Sequence, residues 1–146
     1  FAQKMYSIQK RVDTVMISGN DLMQASMSGP DHCAIIISYS GETTHILHLA
    51  KKLKSKHTPI IAITSISKST LVKVSDVSLR ISSREMLNTK IGDFASTESI
   101  TCILDILYSC YFSLNYKENL NYKLSIAGEI DDQYSEYEYI DETKIK

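Results

Sequence analysis

The stretch HCAIIISYSGETTHILHLAKKLKSKHTPIIAIT, residues 32–64, contains two apolar runs separated by a polar loop and a segment of helical periodicity. The runs HCAIIIS (32–38) and PIIAIT (59–64) are rich in β-branched residues, as in strands that are buried on both faces of a parallel sheet. The segment THILHLAKKLKSK between them predicts an amphipathic helix with an apolar inward face and outward lysines. The apolar residues of that face are Ile46, Leu47, Leu49, Ala50 and Leu53.

Further apolar runs and helical segments extend this pattern on either side. TVMIS (14–18) and VSLRIS (77–82) predict two more strands. Asn20 is a candidate N-cap for the helical segment DLMQASM, which Gly29 and Pro30 end, and the segment from Ser69 to Ser75 predicts a shorter helix. Strands that alternate with helices through short connections indicate an α/β fold, with a doubly wound, mostly parallel sheet flanked by helices.

The segment from Ile91 to Leu114 is a long apolar helix candidate that is hydrophobic on more than one side. Such a helix packs on the sheet with one side and needs a second partner for the other. A second copy is the simplest partner, because a symmetric interface buries the same face on both subunits. We therefore expect a homodimer or a tetramer.

Length and composition limit the classes of protein. With 146 residues, 43% of them hydrophobic, the chain is long enough for one domain with a core. It has no uninterrupted apolar stretch of spanning length, and FAQKMYSIQKRV lacks the apolar core of a signal peptide, so we expect a cytoplasmic protein without a membrane partner. Three cysteines at unrelated spacings, Cys33, Cys102 and Cys110, do not predict a disulfide framework or a zinc site.

The net charge of −1 is distributed unevenly. Residues 129–146, EIDDQYSEYEYIDETKIK, carry −5, and the rest of the chain carries +4. A mildly basic body suits a small anionic ligand but lacks the clustered basic stripe that is typical of nucleic-acid binding. We divide the chain into a domain of residues 1–128 and an acidic, tyrosine-rich tail of residues 129–146. The tail is either solvated or docks as a strand or short helix through its tyrosines.

The loop SYSGET, residues 38–43, joins the strand HCAIIIS to the following helix. In a parallel α/β sheet, ligands bind beyond the carboxyl ends of the strands, where this loop lies. Gly41 lets the backbone turn so that several N–H groups point at one centre, and the start of the helix adds its own unpaired N–H groups. The hydroxyls of Ser38, Ser40 and Thr43 can donate to phosphate oxygens. The same residues suit a plain turn in which Ser40 or Thr43 caps the helix, and both interpretations stay open.

A second loop with similar chemistry follows the next strand. In AITSISKSTLVKVSD, residues 62–76, a strand ends in the hydroxyls of Thr64 and Ser65, and a helix and an aspartate that opens another strand come next. The stretch from IIISYSGET to VSLRIS resembles the sugar isomerase (SIS) domain, and within it most resembles the effector domain of RpiR-type bacterial transcription regulators. The resemblance covers roughly residues 1–115.

The resemblance implies a ligand and the residues that hold it. SIS domains have a flavodoxin-like α/β fold and bind sugar phosphates, and their Ser-x-Ser-Gly-x-Thr loop wraps the phosphate. Ser38, Ser40 and Thr43 are therefore the implied phosphate ligands. The backbone amides of Tyr39 and Gly41 are implied to lie beside them.

The sugar and the DNA involve other parts of such proteins. Thr64 and Ser65 are implied to line the sugar end of the pocket, and Glu42 and Glu85 are candidate contacts to the sugar. In RpiR-type regulators this domain follows an N-terminal helix-turn-helix domain and governs its binding to DNA. We therefore expect DNA contact only through such a domain, which these residues do not include.

The start of the chain departs from the family pattern. The family begins with a strand and a glycine-rich loop that carries one further phosphate-contacting serine. Here the first residues, FAQKMYSI, match the helix that follows that loop. We expect that the first strand is missing from this chain, which is then either clipped or a degenerate member.

The alternative function is a phosphosugar isomerase, which needs a base positioned over the reacting carbon. The resemblance places Lys90 where ketose–aldose isomerases of the SIS group have their catalytic glutamate, and none of the carboxylates in the sequence is marked as a base. His45 and His48 lie three residues apart on one helix, but a third metal ligand is lacking. We therefore predict a protein without catalytic residues, cofactor or metal. The candidate carboxylates for an enzyme are Glu42, Glu85 and Glu98.

Overall fold

The computed structural model of the protein describes residues 1–15, 19–66, 68–81, 92 and 94–134. The chain divides into two compact units, one of residues 13–106 and one of residues 1–12 with those from 107 onward. In the described part of the chain, the elements are helices α1 (Ala2–Tyr6), α2 (Asn20–Met27), α3 (Thr44–Ser55), α4 (Thr70–Val74), α5 (Phe94–Leu114) and α6 (Tyr116–Tyr134), and strands β1 (Ala34–Ile37), β2 (Ile60–Thr64) and β3 (Val77–Arg80).

The three strands form a parallel sheet in the order β1-β2-β3. Ile37 pairs with Ile63 and Thr64 pairs with Arg80, so the carboxyl ends of all three strands lie at one edge of the sheet. The predicted fold class, a parallel α/β sheet flanked by helices, is confirmed. The edge with the carboxyl ends is where loops lead into α3 and α4.

The core of the larger unit lies between the sheet and α2, α3 and α4. The predicted inward face of α3 is confirmed, because Ala50 and Leu53 are buried and the three other apolar residues of that face pack against them. Ala50 of α3 and Ala62 of β2 are fully buried, and such small side chains let a helix approach a strand closely. The buried residues of this cluster are Ala25, Ile36, Ala50, Leu53, Ile60, Ala62 and Leu71.

At the other edge of the sheet, Asp76 joins three elements. Its carboxylate accepts hydrogen bonds of 2.8 Å each from the backbone N–H of Ile60 and from Lys54 Nζ, and its own N–H donates to the Ile60 carbonyl. The hydrogen bond from Lys54, with that from Ile60, lowers the pKa of Asp76 below its ordinary value. The aspartate that was predicted to open the third strand therefore fixes the start of β3 against the start of β2.

Two elements differ from the prediction. Gly19, with φ of +101°, is the N-cap residue of α2, and Asn20 is its first helical residue. Glycine takes this left-handed backbone without steric cost, which shifts the start of the helix by one residue. Of the predicted strand 14–18, Thr14 and Val15 are not in a strand, and residues 16–18 lie outside the described residues.

The burial of the strands also differs from the prediction. Of the three described strands, only β2 is buried along most of its length. Ile37 of β1 is 42% exposed and Val77 of β3 is 50% exposed within the described chain, whereas the apolar composition predicted strands buried on both faces. These two strands lie on either side of β2, so each has one paired edge in the described sheet.

The smaller unit is helical. Among its described residues, Met5 and Ile8 are the buried apolar ones. Asn119 Nδ2 donates a 3.0 Å hydrogen bond to the Phe112 carbonyl across the turn between α5 and α6. α6 continues through Gly128 to Tyr134, so the first residues of the acidic segment are helical, and residues 135–146 lie outside the described ones. No described helix combines the length and the apolar content needed to cross a membrane.

Candidate functional site

Two hydroxyl-bearing loops meet at the carboxyl edge of the sheet. The first loop, residues 38–43, leads from β1 into α3, and the second loop, residues 65–69, leads from β2 into α4. Because β1 and β2 are neighbours in a parallel sheet, the two loops are also neighbours. The predicted site residues of both loops therefore come together, as expected for a ligand site of this fold.

The carbonyl of Tyr39 holds the two loops together. It accepts hydrogen bonds from the N–H of Ser65 at 3.0 Å, the hydroxyl of Ser65 at 2.7 Å and the hydroxyl of Thr64 at 3.0 Å. Thr64 is only 1% exposed. The hydroxyls of Thr64 and Ser65, predicted to line the sugar end of a pocket, thus donate to the first loop in this structure. They fix the shape of that loop.

Gly41 leaves no room for a side chain between the loops. Its φ of +66° lies in the left-handed region, and a Cβ added there would lie 2.7 Å from Ser69 Cβ and 3.3 Å from Thr64 Oγ1. The Gly41 carbonyl also accepts a 3.1 Å hydrogen bond from the N–H of Leu71, the second residue of α4. Both the backbone angle and the available space therefore require glycine.

The three predicted phosphate ligands have different environments. Ser38 is 8% exposed, and its hydroxyl oxygen accepts a 3.2 Å hydrogen bond from the N–H of Gly41. The hydroxyl oxygen of Ser40 accepts from the N–H of Glu42 at 3.2 Å, within the loop. In both cases the hydroxyl oxygen is the acceptor, so the O–H group can still donate to a ligand. The Gly41 amide, predicted to lie beside a phosphate, is already paired with Ser38.

The N-terminus of α3 is left without a side-chain cap. Thr43 is the N-cap residue, is exposed, and makes no side-chain cap hydrogen bond. The hydroxyl of Ser40 bonds a loop amide and not an amide of α3. The interpretation of SYSGET as a plain helix cap therefore does not describe this structure. The first-turn N–H groups of a helix without such a cap carry a partial positive charge and can receive an anion.

The N-terminus of α4, by contrast, is capped by two side chains. Ser69 Oγ accepts from the N–H of Val72 at 3.4 Å, and the carboxylate of Glu42 accepts from the N–H of Thr70 at 2.6 Å. The hydrogen bond from the Thr70 backbone lowers the pKa of Glu42 below its ordinary value of 4.5. Glu42, a predicted sugar contact, thus lies at this edge, but its carboxylate caps the N-terminus of α4.

The remaining candidates lie elsewhere. His45, in the first turn of α3, is hydrogen-bonded through Nε2 to the carboxylate of Asp21 in α2, and this bond lowers the pKa of Asp21. Glu98 is an exposed residue of α5. Glu85 and Lys90 lie outside the described residues.

Two residues of this edge are not singled out by the sequence patterns. The side chain of Ser69 occupies the space that a Cβ at Gly41 would need. Arg80 donates from Nε to the Ser65 carbonyl at 3.5 Å. A serine just before a short helix could have been read as its cap. A charged residue in the carboxyl-terminal half of the predicted strand 77–82 is the signal that could have identified Arg80.

The family follows from comparison with known proteins. Residues 1–110 match the SIS domain. The chain belongs to the SIS domain family, as its two loops predicted.

Individual relatives agree with this assignment. The chain is 38% identical over 98 residues to an uncharacterized HTH-type transcriptional regulator of Thermotoga maritima, which covers 64% of this chain. The structure of the Vibrio vulnificus NanR protein complexed with ManNAc-6P matches 91% of this chain with a TM-score of 0.77 and 23% identity. The sugar isomerase domain of an RpiR transcription factor from Sphaerobacter thermophilus matches 86% with a TM-score of 0.68 and 12% identity. These two structural matches establish the fold.

The chain spans only part of these proteins. It covers 34% of the Thermotoga regulator and 49% of the Vibrio NanR chain. It covers 68% of the Sphaerobacter domain. The similarity to regulators is therefore a similarity to part of their length.

Proposed function

We propose that this domain binds a sugar phosphate and that the loop of residues 38–43 receives the phosphate. The observation that supports this most directly is at the N-terminus of α3, where Thr43 is the N-cap residue. Its side chain makes no cap hydrogen bond to the first-turn N–H groups. An anion that accepts from these amides would satisfy donors that the chain leaves open and would interact with the positive end of the helix dipole. The family assignment favours phosphate as the anion.

In this proposal the hydroxyls of the loop act as neutral donors. The exposed Thr43 hydroxyl and the Ser40 hydroxyl donate to phosphate oxygens. Ser38 donates from a buried position at the start of the loop. Thr64 and Ser65 act through Tyr39, because their hydrogen bonds hold the loop in shape. Each of these hydroxyls already donates to the Tyr39 carbonyl. Their predicted contact with the sugar would have to be made in addition to this hydrogen bond.

Thermal unfolding in the presence of ligands tests the proposal. Glucosamine 6-phosphate, fructose 6-phosphate and arabinose 5-phosphate should be tested at millimolar concentration, and at least one should raise the Tm, because a ligand that binds only the native state stabilises it. The unphosphorylated sugars serve as controls and should leave the Tm unchanged. Equal shifts with phosphorylated and unphosphorylated sugars, or no shift with any of them, would contradict the proposal.

We also propose that the domain is the effector part of a transcription regulator. The supporting observation is its similarity to an HTH-type regulator of which it covers 34%. In a protein that joins this domain to a helix-turn-helix domain, adding the bound sugar phosphate should change the affinity for operator DNA several-fold. An electrophoretic mobility assay with and without ligand measures this change. Identical DNA affinity in both states would leave a sugar-phosphate domain without this regulatory role.

The proposal does not include catalysis. Glu42 belongs to the loop of residues 38–43, but its carboxylate accepts from the Thr70 N–H. Glu98 is an exposed residue of α5 with no described contact to that loop. Incubation with each sugar phosphate should therefore give no isomerised product by NMR. Turnover that is lost in Glu85→Gln would instead establish the isomerase alternative.

Finally, we propose a homodimer or tetramer, as the apolar character of α5 predicts. Phe94 and Ile106 of this helix are 77% and 55% exposed in the single chain. Burial of large apolar side chains between copies would remove this surface from water. Light scattering at micromolar concentration should give at least twice the chain mass of 16.5 kDa, and a monomer mass would contradict the expectation.

A further inference from the structure

Arg80 lies in the same cross-strand row as Ser38, a candidate phosphate ligand, and Thr64, a predicted sugar contact. Thr64 and Arg80 are paired in register, and the Ser38 N–H continues the ladder of β1 by donating to the Ile63 carbonyl at 3.0 Å. Side chains that are opposite each other in a sheet point to the same face. Ser38, Thr64 and Arg80 therefore form one cross-strand row at the carboxyl edge, on the face that α3 and α4 cover.

The side chain of Arg80 is directed toward the two loops. Its Nε–H donates to the carbonyl of Ser65 at 3.5 Å, so the side chain leans from β3 across the end of β2. Ser65 in turn donates both its N–H and its hydroxyl to Tyr39 in the first loop. Two successive hydrogen-bond links thus join Arg80 to the loop of residues 38–43.

The guanidinium of Arg80 has donors left for a ligand. Arginine carries five N–H donors, and the hydrogen bond to Ser65 uses one of them. Arg80 is exposed, and within the described ranges its other donors have no protein acceptor. A planar group with several free N–H donors matches the oxygens of a phosphate better than a lysine does.

The charges at this edge favour a cation there. The loop of residues 38–43 offers neutral donors, and its one ionisable acid, Glu42, places a carboxylate on the N-terminus of α4. A sugar phosphate carries up to two negative charges, which this carboxylate would repel. A guanidinium in the same row offsets the repulsion.

We propose that Arg80 is a ligand-binding residue of this site and that its guanidinium donates charge-assisted hydrogen bonds to the phosphate of the bound ligand. The inference rests on the proposed binding of a sugar phosphate and adds a charged recognition element to it. A cation in the row would strengthen the preference for phosphorylated over neutral sugars.

Titration calorimetry with inorganic phosphate and with glucosamine 6-phosphate tests the inference. Arg80→Gln should weaken binding of both probes roughly 10- to 100-fold, the range for a hydrogen bond to a charged group. Arg80→Lys should bind with intermediate affinity, because it keeps the charge but loses the fork of donors. Lys51→Gln is the matched control, since it removes one exposed positive charge from the outer face of α3 and should bind like the parent.

The outcomes separate this inference from the proposed function. If the parent binds neither these probes nor any other sugar phosphate, the proposed function fails. If the parent binds, Ser40→Ala weakens binding, and Arg80→Gln binds as tightly as Lys51→Gln, then Arg80 only joins β3 to the second loop and the inference is wrong. Should Arg80→Gln not fold, Arg80→Lys decides, because affinity equal to the parent contradicts phosphate contact and weaker affinity at unchanged Tm supports it.

Discussion

The N-termini of α3 and α4 lie at the same edge of the sheet and differ in what covers them. α4 is one turn long, and the side chains of Ser69 and Glu42 both accept from its first amides. α3 has twelve residues, and its N-cap residue Thr43 contributes no side-chain bond. A cap is expected to stabilise the longer helix more, because its aligned peptide dipoles add up at the terminus. The longer helix is nevertheless the one left open.

This difference separates the structural role of a helix start from its ligand-binding role. Where a side chain of the protein occupies the first amides, as in α4, the terminus contributes to stability and has little left to offer a ligand. Where it does not, as in α3, the same amides are available to an anion. Glu42 makes the contrast sharper, because it belongs to the loop that leads into α3 and yet caps α4.

Substitution of Gly41 should have the largest effect, because Gly41 lies between the two helix starts. Gly41→Ala introduces a Cβ at positive φ that meets Ser69, and it should lower the free energy of unfolding by roughly 2 to 5 kcal/mol. Ligand binding should be lost as well, since the first loop could no longer approach the second. Urea denaturation and calorimetry measure the two effects.

Gly19→Ala is the matched control for Gly41→Ala. Gly19 also has a positive φ, of +101°, but an added Cβ there would meet no atom within 4 Å. It should cost only the backbone strain, about 1 to 2 kcal/mol. Equal destabilisation by the two variants would mean that the contact of the added Cβ with Ser69 contributes nothing to the effect.

A crossed pair of alanine variants should separate the two helix starts. Ser69→Ala removes a cap of α4 and should lower the free energy of unfolding by about 1 kcal/mol, with little change in ligand affinity. Thr43→Ala removes no cap bond and should leave stability within about 0.5 kcal/mol of the parent. The same variant should lose roughly 1 to 3 kcal/mol of sugar-phosphate binding.

Both variants need denaturation and binding measurements on the same preparation. If Thr43→Ala destabilises the protein as much as Ser69→Ala does and binds ligand normally, then Thr43 is a cap and the contrast between α3 and α4 disappears.

The smallest expected effect is a pH dependence that arises from Glu42. The Thr70 N–H holds the pKa of Glu42 below its ordinary value of 4.5 in the folded protein, so the ionised form stabilises α4. This contribution is present above the pKa of the unfolded chain and is lost as the pH falls through the lowered folded pKa. The Tm difference between the parent and Glu42→Gln should therefore be present at pH 7 and shrink toward pH 3.

Glu129→Gln, which removes an exposed carboxylate from α6, controls for the change in net charge. A Tm difference between the parent and Glu42→Gln that stays constant from pH 7 to pH 3 would show that the ionised carboxylate does not cap α4.

The sequence predicted those parts of the fold that local patterns determine. The inward face of α3 follows from apolar spacing, and the helix predicted from Ser69 to Ser75 is α4 with those two serines as its flanking caps. Both depend on residues within one or two turns of each other. The one-residue error at the start of α2 arose because Asn20 is a good N-cap type, whereas Gly19 takes the left-handed backbone that the cap has here.

The parts of the site that the sequence did not predict are contacts between distant residues. The Thr64 hydroxyl reaches Tyr39 across 25 residues and Glu42 reaches Thr70 across 28. Sequence spacing identified these hydroxyls and this carboxylate as belonging to a site. It could not assign their partners, because several acceptors and donors converge at the end of a parallel sheet and only the packed loops decide among them.

The three donors on the Tyr39 carbonyl have a consequence for protein engineering. The loop of residues 38–43 owes its shape to Thr64 and Ser65, more than 20 residues away, and so it is not a self-contained module. If SYSGET alone were grafted between a strand and a helix of an unrelated scaffold, we expect that the loop would not adopt the conformation it has here. The smallest portable piece is the pair of adjoining strand–loop–helix segments from β1 to α4, in which the acceptor and its three donors travel together.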